Sequence, residues 1–134
     1  MYINDTINKY AKEMDEDAKI TMLNLRDCQM RLPVIKHKWG SRLVNHKVEL
    51  SKIKMLITRA KEVIIENNIK DAKVAMSRPS LERKAETHET VIKLRNRIID
   101  EEFTIMYLDK VEQIFKGMTF DIKNLVEIMK LEQL

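Results

Sequence analysis

Two glycines and two prolines in 134 residues are too few for the repeated turns of a β-sandwich or barrel. Aromatic residues make up 5% of the chain, so an apolar core has to be aliphatic and laid along helix faces. The single cysteine, Cys28, excludes an intramolecular disulfide and fits a reducing compartment. No apolar run approaches the roughly 18 residues of a membrane span. The opening MYINDTINKYAKEMDEDAK carries five acids and no apolar centre, unlike a secretory signal. These absences predict a soluble, cytoplasmic protein without membrane association.

Catalytic and cofactor signatures are missing as well. His37, His46 and His88 are scattered and have no acid or cysteine at zinc-ligand spacing. There is no glycine-rich phosphate loop and no nucleophile elbow. Asp100, Glu101 and Glu102 are consecutive, and on a helix adjacent side chains diverge instead of converging on a substrate. The expectation is a protein that is not an enzyme, with no catalytic residue, metal or cofactor.

Hydrophobic residues at 44%, nine methionines and abundant Leu, Ile, Lys and Glu point to an all-α fold of long amphipathic helices. Ile7, Tyr10, Ala11, Met14 and Ala18 have helical spacing, and Met22, Leu23 and Leu25 form a second apolar patch. Proline is at home in a first helical turn, so a long helix is expected from about Pro33 to about Asn67, with Gly40 a weak point. Its seam is Leu43, His46, Leu50, Ile53, Ile57, Ala60 and Ile64, alternating steps of three and four. Val44, Val48, Leu56 and Val63 widen that face, as for a helix with more than one neighbour.

Ser77, Pro79 and Ser80 offer cap and first-turn chemistry for the next helix. It is expected to run through Val91, Leu94, Ile98, Ile105, Leu108 and Phe115, broadened by Ile92, Ile99, Phe103 and Met106. Gly117 then reads as a C-terminal cap. Thr119 or Asp121 would cap a last helix with the seam Ile122, Leu125, Val126 and Met129.

The net charge of +4 conceals a strong segregation. Residues 31–61 hold nine Lys and Arg against one acid, Glu49. Residues 1–20 carry three bases and five acids, and residues 98–134 four and eight. Lys47, Lys54 and Lys61 are a heptad apart beside the seam, and Lys52 and Arg59 form a second row nearer the opposite side. A basic belt of this density fits a polyanion better than a merely solvated face. A membrane-surface helix needs bulky apolar residues free to insert, and this helix needs its apolar face for packing.

Nucleic acid is therefore the expected partner, held by phosphate contacts that carry no sequence information. The candidate residues are Lys36, Lys38, Arg42, Lys47, Lys52, Lys54, Arg59 and Lys61, with Trp39 among them. Trp39 either stacks on a base or fills the core. A helical structural or adaptor protein, with its basic stripe against an acidic protein or its seams against partner helices, is the alternative; a duplex-binding architectural protein is a third.

Two stretches carry a family resemblance. LPVIKHKWGSRLVNHKVEL resembles the opening of the long helix of the UvsY-like recombination mediators of T4-like phages. FTIMYLDKVEQIFKGMTFDIKNLVEIMK resembles their C-terminal signature, with the aromatic-x-Ile-Lys element at Phe120, Asp121, Ile122 and Lys123. The resemblance covers roughly residues 30–134 and implies a single-stranded-DNA-binding homo-oligomeric ring, a hexamer or heptamer, in the host cytoplasm. The implied partners are single-stranded DNA, a RecA-like phage recombinase and the phage single-strand-binding protein.

The family's basic motif falls on TRAKEV, at Arg59 and Lys61, while IIENN replaces the tyrosine pair and glycine that often follow. Oligomerisation is carried over to Phe120, Ile122, Leu125, Val126 and Met129. The resulting division is an acidic segment over 1–30, helical or a loose arm, a helical DNA-binding body over 31–116, and an oligomerisation helix over 117–134.

Overall fold

A computed structural model describes residues 4–21, 23–71 and 75–133. Four helices follow in order: α1 (Asp5–Asp17), α2 (Leu25–Asp71), α3 (Arg78–Glu86) and α4 (Glu89–Glu132). The fold is all-α, as expected. Two compact units divide it, one drawing on the chain up to Asn45 and from Thr104 onward, the other on His46–Phe103. The expected boundaries at 30/31 and 116/117 fall inside α2 and α4.

In the first unit, α1 packs with the start of α2 and the end of α4. Asn4 caps α1, its side chain accepting from the Ile7 amide at 2.8 Å. The core joins Met14, Leu25, Cys28, Leu32, Ile35, Trp39 and Leu43 to Leu108, Val111, Phe115, Met118 and Ile122. Trp39 stacks against Phe115, with centroids 6.4 Å apart, and meets Tyr10 edge-on at 5.6 Å. Cys28 is buried and donates to the Lys19 carbonyl at 3.2 Å.

Two punctuation signals misled the expected boundaries. Pro33 lies inside α2 and does not open it. The helix starts eight residues earlier because Thr21 and Asn24 bond reciprocally: Asn24 accepts from the Thr21 amide, and Thr21 Oγ1 accepts from the Asn24 amide. Burial of Leu25, Cys28 and Leu32 then offsets a proline cost of about 3 kcal/mol. Leu23 is fully exposed, and Met22 lies outside the described residues.

Gly117 likewise ends nothing. It has no positive φ, and α4 runs through it to Glu132. The seam Leu108, Val111, Phe115, Met118, Ile122 continues across it, and that burial exceeds the roughly 1 kcal/mol a mid-helix glycine costs. Thr119 caps no helix; its hydroxyl donates back to the Phe115 carbonyl at 3.2 Å.

The second unit holds the rest of α2, all of α3 and the start of α4. The whole seam from His46 to Ile64 is buried or half-buried, with Ile53 and Ile57 deepest. Ile65 packs on Leu81 and Ala85 of α3. Ser77 caps α3, as expected, and Pro79 sits in its first turn. The expected single helix onward from Pro79 is two, because Thr87 and His88 break it. Thr87 donates to the Lys84 carbonyl, and His88 Nδ1 accepts from the Thr90 amide, so local side-chain bonds replace the helical ladder.

The residues expected to widen the seams remain on the surface. Val44, Val48, Leu56, Val63, Ile92, Ile99, Phe103 and Met106 are each 43–58% exposed.

Candidate nucleic-acid interface

The two units treat the basic belt differently. In the first, α1 supplies Glu13 and Asp17, four residues apart, opposite Lys38 and Arg42, also four apart on α2. Arg42 bonds Glu13 at 2.7 Å, and Lys38 lies 2.5 Å from Asp17 and 3.6 Å from Glu13. The hydrogen bond from Arg42, joined by the charges of Arg42 and Lys38, holds the Glu13 carboxyl below its usual range against opposing desolvation. Arg42 also lies over the Tyr10 and Trp39 rings, at 4.8 and 4.7 Å from their centroids.

Trp39 is 1% exposed and donates through Nε1 to Asp17 at 2.9 Å. It offers no face to a base. The core reading of this residue holds, and the stacking one does not. Lys36 donates to Thr119 Oγ1. Lys38 and Arg42 are thus engaged by carboxylates that sequence reasoning left unassigned, although the matching four-residue spacings were a readable signal.

In the second unit Lys47, Lys52, Lys54 and Arg59 are exposed, and among the described residues none forms an ion pair. The nearby acids on α2 are occupied: Glu49 accepts from Arg97 at 3.3 Å, and Glu62 from Arg78 at 2.7 Å. Lys61 differs. It is half-buried and paired with Glu86 of α3, which also takes a bidentate fork from Arg95 at 2.7 and 2.9 Å. The Arg95 fork first, and Lys61 second, lower the Glu86 carboxyl to about 2.

His46 is half-buried on the seam with Nδ1 2.6 Å from Glu101, as a core polar residue would be. Among the described residues, no cluster of three His, Cys, Asp or Glu side chains is placed to hold a metal. No helix is long and apolar enough to cross a membrane.

Of the residues assigned to oligomerisation, Ile122 is buried, and Leu125, Val126 and Met129 pack against the first unit's own core. Phe120 faces outward at 68% exposure. Ile128 and Leu131, which sequence reasoning passed over, are also exposed and share its side of α4.

This architecture has solved counterparts. One crystal form of the bacteriophage T4 recombination mediator protein UvsY matches at TM-score 0.78 and 14% identity, covering 94% of this chain and 98% of that one. A second form matches at 0.78 and 13%, covering 99% and 100%. The chain has a UvsY-like fold. A third form of UvsY agrees at 0.70 and 15% identity, over 91% and 97% of the two chains. No family model and no curated protein matches the sequence. The resemblance in two short stretches therefore extends, as a likeness of fold to UvsY, over nearly the whole chain.

Proposed function

We propose that this protein is a single-stranded-DNA-binding recombination mediator, which helps a RecA-like recombinase load onto DNA covered by single-strand-binding protein. The observation that carries the proposal is that Lys47, Lys52, Lys54 and Arg59, along α2 of a UvsY-like fold, are exposed and have no ion pair among the described residues. Each contributes a phosphate contact of modest strength. Assembly into a homo-oligomeric ring multiplies those contacts through effective concentration. Strand wrapped on such a ring is bent and held away from the resident binding protein, which frees a place for the recombinase to nucleate. No step requires a catalytic group. Self-association is assigned to the exposed apolar residues of late α4, Phe120, Ile128 and Leu131, since their inward neighbours serve the chain's own core.

Fluorescence anisotropy with labelled oligo-dT tests the proposal. Saturable binding is expected at low salt, with log affinity falling against log salt at a slope of about −3 per protomer engaged, from about four contacts. Light scattering on the same samples reads the assembly. The exposed row Ile92, Ile99 and Phe103 on α4 favours a second reading, an adaptor that binds a partner helix. That reading is supported if oligo-dT shows no saturable binding.

A further inference from the structure

Between α2 and the beginning of α4 the second unit carries an open groove of about 480 Å³. Its floor is apolar, from Leu56, Ala60, Val63 and Ile64 of α2 and Leu94 of α4. Arg59 also lines it, and among the described residues no carboxylate does. A second concavity of about 440 Å³ adjoins it, sharing Ile64, Asn67 and His88 and adding Asn68 and Lys84. Its one acid, Glu89, is paired with Lys93 at 3.0 Å. Lys84, like Arg59, is exposed and has no ion pair among the described residues.

We infer that this groove seats bases of a bound single strand, with Arg59 and Lys84 on the flanking phosphates. The inference rests on the single-strand-binding proposal and adds what that proposal lacks, a place for the bases. Three features select the occupant. An apolar floor lies beside a cation that no acid among the described residues pairs with, which suits a flat, weakly polar ring joined to a phosphodiester and disfavours an acidic or basic peptide side chain alone. The amides of Asn67 and Asn68 each present donor and acceptor atoms together, as the edge of a base requires. Lys52 and Arg59 are seven residues, about 10 Å, apart on one side of α2, so the outer row of cations leads to the groove mouth.

The interleaved aromatics usual in single-strand grooves are absent from its lining. Base contact here is burial against aliphatic side chains, which is insensitive to base identity. The two asparagines add hydrogen bonds that many base edges satisfy. Sequence-tolerant binding follows from that geometry.

The experiment compares oligo-dT with an abasic deoxyribose-phosphate strand of equal length and charge, titrated by anisotropy against the full-length protein. Oligo-dT is expected to bind about tenfold more tightly, the ratio for roughly 55 Å² of base surface removed from water against an aliphatic floor. Leu56→Ser with Val63→Ser, both at half-exposed positions, is expected to erase that ratio while leaving abasic affinity unchanged. Arg59→Ala is expected to weaken both strands in parallel. Equal affinity of the wild-type protein for the two strands overturns the groove assignment and leaves phosphate binding standing. Failure to bind either strand overturns the single-strand-binding proposal, and the groove assignment with it. The wild-type comparison needs no substituted protein, so an unfolded variant cannot obscure the result.

Discussion

At the scale of single residues, Trp39 decides what the first half of the basic belt is for. Its ring is enclosed by Tyr10, Phe115 and the Arg42 guanidinium, and its Nε1 is bonded to Asp17. Trp39→Ala is therefore expected to lower stability by about 3–5 kcal/mol in urea denaturation, the range for removing a large buried aromatic. Oligo-dT affinity, measured where the variant remains folded, should not change. A variant of native stability that has lost DNA affinity would contradict this assignment.

Gly117 permits a test of opposite sign. It is helical, has ordinary φ, and an added Cβ would meet nothing within 4 Å. Gly117→Ala should raise stability by about 0.5–1 kcal/mol. A glycine that served as a left-handed cap would give a loss instead.

At the scale of elements, α3 packs Leu81 and Ala85 on Ile65 of α2, and the Glu86 carboxylate adds a polar tie by bridging Lys61 of α2 and Arg95 of α4. The folded-state value of Glu86, about 2, lies below the ordinary 4.5. A depressed carboxylate contributes stability that is fully present above about pH 4.5 and is lost as pH falls toward 2. Because the Glu86 side chain is 39% exposed, screening limits the contribution to about 1 kcal/mol or less. Thermal unfolding followed from pH 5 down to 2 should therefore show a shallower acid loss for Glu86→Gln than for the wild type. Parallel curves would remove the bridge from the account of this unit.

The elements also show what the sequence made legible. The all-α class, the seam from Leu43 to Ile64 and the Ser77 cap were readable, because periodicity and capping act within one or two turns. The ends of α2 and α4 were misplaced where a strong local signal, Pro33 or Gly117, competes with burial. Leu25, Cys28 and Leu32 before the proline, and Met118 and Ile122 after the glycine, continue stripes whose value depends on partners far along the chain. The candidate site was legible as a set of cations but not as a selection among them. Which cations are masked depends on Glu13 and Asp17, signalled only by a four-residue spacing that matches Lys38 and Arg42, and on Glu86, which no spacing reveals.

At the scale of the whole molecule, the belt of residues 31–61 is one feature in sequence and two in structure. Lys38 and Arg42 join α1 to α2 through ion pairs, whereas Lys47, Lys52, Lys54 and Arg59 are exposed and are the cations proposed to bind phosphates. Two alanine variants separate these roles. Changing Lys47, Lys52, Lys54 and Arg59 together removes about four phosphate contacts at about 0.7 each, so the slope of log affinity against log salt should become shallower by about 3. Stability should stay within about 0.5 kcal/mol per site, since these side chains are exposed. Changing Lys38 and Arg42 strands Glu13 and the mostly buried Asp17 beside an aromatic core, so stability should fall while the salt slope is preserved. Salt-dependent titrations paired with urea denaturation read both quantities on each protein. If the Lys38 and Arg42 variant lost the slope while the four-site variant kept it, the phosphate track would lie on the first unit, and α1 would have to leave its place for DNA to bind.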